Sequence, residues 1–141
     1  MAEKFKFLSK FDGTQGVPAV REFPVAATQT LVVGDLVILS SGKVTIAGDS
    51  AAAPLGVMAQ DSDGASAGTM VKVYPILPGQ VWRATADADA TNHVLATSVY
   101  DINATTQTVD VGDNANGAII ILALRDSTTD IEISFTKGAL F

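Results

Sequence analysis

The sequence predicts an all-β protein, a small β-barrel-like domain with an extended N-terminal arm. Three observations carry that expectation. From residue 25 onward, short apolar or alternating runs are separated by clusters of Gly, Asp, Asn, Ser and Pro, the punctuation of strands and turns. Helix-start signals and helical periodicity are almost absent. The chain has 141 residues, 48% of them hydrophobic, enough for one core, because a domain of this length buries roughly 70% of the surface its unfolded chain exposes.

Residues 1–24, MAEKFKFLSKFDGTQGVPAVREFP, form the arm, and residues 25–141 form the single β domain. The arm holds four of the nine Lys and Arg (Lys4, Lys6, Lys10 and Arg21) and four of the six Phe (Phe5, Phe7, Phe11 and Phe23). Phe5, Phe7 and Phe11 interleave with the lysines as in a short alternating strand, and Gly13, Gly16 and Pro18 then break the pattern. Disordered tails are poor in aromatics. The phenylalanines are therefore expected to act as apolar anchors on a neighbouring surface.

Leu36–Ser40 and Lys43–Ala47 flank Ser41-Gly42, the spacing of a two-residue hairpin. A turn follows at Gly48-Asp49-Ser50. Leu55–Gln60 is the next run, then a loop over Asp61–Gly68 and a longer strand over Thr69–Leu77, where Val71 and Val73 face one way and Lys72 and Tyr74 the other. Pro75 places the end of that strand at a sheet edge or bulge. Pro78-Gly79 turns the chain into Gln80–Ala84. The remaining strands are expected at His93–Tyr100, Gln107–Val111, Ala118–Leu124 and Ile131–Thr136, with loops at Asp87–Asn92, Asn103–Thr105, Gly112–Gly117 and Arg125–Asp130. Ile131, Ile133 and Phe135 alternate with Glu132, Ser134 and Thr136, as in a strand with one wet face. Leu36–Leu39 and Ile119–Leu122 lack alternation, which predicts cover on both faces.

Several chemistries are excluded or unsupported. With no cysteine, disulfides, thiolate zinc sites, iron–sulfur ligation and cysteine catalysis are all ruled out. His93 is the single histidine, and no G-x-S-x-G context accompanies it, so the chain is read as not an enzyme. Asp61/Asp63, Asp87/Asp89 and Asp110/Asp113 are paired carboxylates, but no calcium-loop pattern surrounds them. Their ordinary role is to bond their own backbone in turns. No phosphate-cradling glycine motif is present, and no metal or cofactor is expected.

Charge is uneven along the chain. Residues 1–83 carry seven Lys and Arg against seven Asp and Glu, while residues 84–141 carry two against eight, so the net charge of -6 lies in the C-terminal part. Scattered bases in an acidic chain argue against nucleic acid as a partner. The longest strongly apolar run, Ala118–Leu124, is far short of the roughly 20 residues that span a bilayer, and the N-terminus lacks the apolar stretch of a signal peptide. A soluble protein without membrane partners is expected. Trp82, between Val81 and Arg83 after the Pro-Gly turn, is a candidate interface anchor, since Trp, Tyr and Arg dominate interface hot spots.

The order of the motifs Phe23-Pro24-Val25, Val33-Gly34-Asp35-Leu36-Val37, Ser41-Gly42-Lys43-Val44, Pro54-Leu55-Gly56-Val57 and Val71-Lys72-Val73, followed by Asp101-Ile102-Asn103-Ala104-Thr105-Thr106, resembles that of small capsid decoration proteins of tailed bacteriophages. The resemblance spans about residues 23–124. It implies a β-barrel or β-tulip body, commonly trimeric, on the outer surface of an expanded head, made in the host cytoplasm and clamping neighbouring copies of the major capsid protein. It brings no catalytic residues. Phe5, Phe7, Phe11, Phe23 and Trp82, with Leu140 and Phe141 of the C-terminal tail, are the candidate capsid or subunit contacts. Alternative readings are a tail or head-completion component, or a β-domain that binds carbohydrate or a host surface. An enzyme built around His93 is the rival from a different class.

Overall fold

Ser41 and Gly42 both adopt positive φ, 51° and 76°, the mirror-image turn whose twist matches that of the strands it joins. They close the hairpin of β3 (Leu36–Ser40) and β4 (Lys43–Ile46), in which Ser40 faces Lys43. The computed structural model describes residues 4–13, 16, 18–48, 53–115 and 117–141. Asp49 and Ser50 of the expected Gly48-Asp49-Ser50 turn and part of the Gly112–Gly117 loop lie outside them.

Around that hairpin, β2 (Arg21–Pro24), β5 (Gly56–Met58) and β6 (Met70–Pro75) build a five-stranded antiparallel sheet of order β2-β6-β5-β3-β4. A four-stranded antiparallel sheet has the order β1-β7-β11-β10, from β1 (Lys6–Lys10), β7 (Gln80–Thr85), β11 (Asp130–Phe135) and β10 (Ile119–Leu124). The hairpin of β8 (Asp101–Asn103) and β9 (Thr108–Asp110) is a third, two-stranded sheet. Among the described residues there is no α-helix, only a 3₁₀ turn at Thr91–His93, and hence no helix able to cross a membrane.

The protein is all-β, as the residue pattern dictates, but none of the three sheets closes into a barrel. The two larger sheets instead face each other over a shared core. That core takes Phe5, Trp82, Ile121, Ile131 and Ile133 from the four-stranded side, Leu36 and Val57 from the five-stranded sheet, and Ile102 and Val109 from the β8–β9 hairpin. A second core lies on the opposite face of the five-stranded sheet, where Val37, Val44, Met58, Val71 and Val73 pack with Val25, Leu31 and Leu55. Consecutive residues Leu36 and Val37 thus enter different cores, which is why β3 shows no alternation. Its second cover comes from the loop that begins at Val25 and contains Leu31. On β10 the outward residues Ile120 and Leu122 are only half-buried.

Two expectations change. The segment expected as an arm lies against the body: β1 pairs with β7, Phe7 facing Trp82, and β2 pairs with β6, Phe23 facing Val71. Each of these strands is the outermost in its sheet. Alternating Lys and Phe suits an edge strand, where lysine discourages unwanted pairing, and β1 also carries a bulge between Phe7 and Ser9. The strand expected at His93–Tyr100 is not formed. Val94 and Tyr100 each make an isolated bridge to β10, at Ile121 and Ile119, because Leu95 takes the left-handed conformation at φ 53° and breaks the ladder.

Close approach fixes Gly56. A Cβ on Gly56 would strike the Tyr74 carbonyl oxygen and the Val73 side chain, so only glycine lets β5 lie against β6 at that point.

Candidate functional site

The candidate contact residues fall into three environments. Phe5 and Trp82 are 1% exposed and belong to the main core; Phe5 tilts against Phe135, ring centroids 6.4 Å apart. Neither presents a free surface. Phe7 and Phe23 are half-buried, Phe7 standing edge-on to Trp82 at 5.4 Å and 85° and Phe23 packing against the second core. Phe11, Leu140 and Phe141 are open to solvent at 62%, 47% and 46%.

Phe11 ends β1. Its amide donates to the Gly79 carbonyl at 2.7 Å, setting the ring beside the Pro78-Gly79 turn and close in sequence to the exposed Leu77. Leu140 and Phe141 follow a turn anchored by the Ala139 amide on the Pro54 carbonyl, and Gly138 fits under the Phe141 ring.

Between β1 and the five-stranded sheet a cleft of about 220 Å³ opens beside Phe7. Phe7 and Trp82 form one wall, Val57 and Tyr74 another, and Val33, Ala59 and Lys6 lie along the remainder. Its geometry is tightly set. The indole N–H of Trp82 donates to Gln80 Oε1 at 3.2 Å, the Leu77 amide donates to that same oxygen at 2.9 Å, and Gln80 Nε2 donates to the Pro75 carbonyl. Lys4 Nζ donates to Asp35 Oδ1 at 2.7 Å, and Asp35 Oδ2 accepts the Val32 amide. Together with the Phe5 amide on the Gly34 carbonyl, this ion pair pins the start of β1 where the cleft begins. Asp61 takes the Val33 amide at 2.9 Å.

Residues that sequence reading passed over complete the picture. Leu95 is 72% exposed, the highest value for a large hydrophobic side chain among the described residues, and Met70 is 51% exposed. Tyr74 and Gln80 line or support the cleft, though sequence reading treated them only as members of strands. Gln80 carried one available clue, a polar residue two positions before the lone tryptophan.

On the far side of the four-stranded sheet, His93 Nδ1 and the Tyr100 hydroxyl are hydrogen-bonded at 2.8 Å with their rings edge to face. The paired carboxylates engage backbone: Asp87 accepts from Val111, Asp110 from Gly112 and Asp113 from Ala115. Asp89 accepts from both the amide and the hydroxyl of Thr91. The Thr91 hydroxyl, and then its amide, hold the Asp89 carboxyl below the ordinary carboxylate range. Asp130 is held low chiefly by its hydrogen bonds from Arg83. Among the described residues no cluster of three His, Asp or Glu side chains is placed to hold a metal ion.

This arrangement is suited to gripping apolar side chains. No protein-family model matches the chain, and no curated protein matches it.

Proposed function

We propose that the chain is a structural virion protein, a decoration or cement protein that binds the outer surface of a tailed-phage head as a trimer and stabilises contacts between major capsid subunits. The reading rests on the order of β motifs between residues 23 and 124. The structural observation that favours it most is the distribution of exposed large apolar side chains. Phe11, Leu77, Met70, Leu95, Leu140 and Phe141 stand on separate loops and strand ends rather than in one pocket. A clamp that touches several neighbours needs such dispersed contacts, because linked weak contacts gain from effective concentration. A β-tulip-like body belongs with this reading, supported by the main core, to which all three sheets contribute.

The test is the number of copies of this chain per copy of the major capsid protein in purified particles from its source, measured by quantitative mass spectrometry. A fixed ratio near one, or another fraction set by the lattice, is expected. A few copies per particle would make it a tail or vertex component, and absence from particles would overturn the viral reading.

A further inference from the structure

We propose that copies of this chain bind one another head to tail, with Leu95 of one copy seated in the aromatic cleft beside β1 of the next. This rests on the oligomeric part of the proposed function and is independent of the capsid.

Four observations meet here. Leu95 projects 72% exposed from a left-handed backbone, φ 53°, a conformation unfavourable for a non-glycine residue, and within one copy its side chain stays open to solvent. The cleft is apolar, and its volume of about 220 Å³ exceeds the ~150 Å³ that holds a benzene-sized body. Knob and hole lie at opposite edges of one sheet: the Leu95 amide donates to the Ile121 carbonyl of β10, the cleft flanks β1, and the sheet order is β1-β7-β11-β10. One copy therefore cannot fill its own cleft with its own Leu95 without dismantling that sheet.

Charge is complementary. Leu95 follows the acidic loop that carries Asp87 and Asp89, in the part of the chain with two bases against eight acids. Lys6 lines the cleft, and Lys72 is exposed two residues from Tyr74 on the same strand. Asp61 at this rim accepts the Val33 amide. Opposite charges on the two ends steer a head-to-tail approach and disfavour two clefts meeting. A contact between two different surfaces closes into a ring when its rotation allows and otherwise runs on as a filament.

The chain has no cysteine, so cross-linking reads the contact directly. Lys6→Cys and Leu95→Cys proteins carrying different tags are mixed and mildly oxidised in the absence of capsid. The expected product is the mixed disulfide dimer, in excess over either homodimer, and the double variant is expected to give closed or laddered covalent oligomers. Homodimers only, or no cross-link, would overturn the proposal. In sedimentation, Leu95→Asp and the cleft-filling Ala59→Phe are each expected to weaken association at least tenfold, with folding checked by circular dichroism. An unchanged oligomer in folded Leu95→Asp protein would overturn it, as would a wild-type chain that stays monomeric at millimolar concentration. Loss of head binding alone, with cross-linking intact, would count against the capsid reading and leave this contact standing.

Discussion

Gln107 Oε1 accepts the backbone amide of Leu36 at 2.9 Å, joining the turn between β8 and β9 to the five-stranded sheet. The same side chain donates from Nε2 to the carbonyls of Ala47 and Ala104, so one buried amide ties the turn before β9 to the start of β3 and the end of β4. Replacing it by alanine leaves the buried Leu36 N–H without its acceptor and removes a donor from the Ala47 carbonyl. Leaving a buried donor without its partner costs about 1–3 kcal/mol, and Gln107→Ala is expected to lose that much in urea unfolding. Gln107→Glu keeps the acceptor for Leu36 but removes both donors, and should be destabilised as well.

Leu95 gives the opposite sign. Asparagine enters the left-handed region more readily than leucine, and little packing is lost at a side chain 72% exposed. Leu95→Asn is therefore expected to raise the thermal midpoint in dilute solution, by a stabilisation on the order of 1 kcal/mol, while weakening association between copies. A lowered midpoint would show that the leucine is held by contacts within its own chain.

The pair of Arg83 and Asp130, joined by Arg83 Nε to Asp130 Oδ1 at 2.9 Å and by a second bond from the other guanidinium nitrogen, sets an acid dependence. The hydrogen bonds from Arg83 hold the Asp130 carboxyl below the ordinary carboxylate range, so the folded state binds this proton less readily than the unfolded chain. The pair's contribution is therefore complete above the unfolded value of about 3.9 and is lost as pH falls through the lower folded value. Asp130→Asn should flatten the stability profile below about pH 4 and change its slope little near neutrality, measured by urea unfolding across pH.

Core and contact aromatics should separate cleanly. Trp82→Ala is expected to cost about 3–5 kcal/mol of stability, since Trp82 is 1% exposed and its indole nitrogen is bonded to Gln80. Phe11→Ala should change stability by less than about 0.5 kcal/mol and, on the capsid reading, weaken binding to expanded heads in a co-sedimentation assay. Deleting residues 1–22 tests less, because it removes Phe5 from the core along with β1 and half of β2.

Much of the strand pattern is written locally. The β3–β4 hairpin, β7, β10 and β11 follow from turn chemistry and alternation, and Ser41-Gly42 marks its turn by residue type alone. What is not local is the partner of each strand. Nothing near Phe7 names Trp82, and nothing near Leu36 names Gln107, because these pairings are decided by which apolar faces find cover after the chain has collapsed. The same reason hid the cleft. Its walls come from β1, β5, β6 and β7 and the approach to β3, no two of them consecutive except β5–β6 and β6–β7. Leu95 was obscured differently: the run from His93 to Tyr100 has strand-like composition, and one left-handed residue turns it from a ladder into a projecting loop.

The pairing of β1 with β7 bears on how the protein is made. Phe7 leaves the ribosome long before Trp82 exists, and at roughly 5–20 residues per second it waits several seconds for its partner. β2 waits similarly for β6. The nascent chain therefore carries an apolar, strand-prone segment from the emergence of β1 until that of β7. Lys4, Lys6 and Lys10, spaced among the phenylalanines, keep that segment hydrated and mutually repelling on crowded polysomes until β7 arrives to receive it.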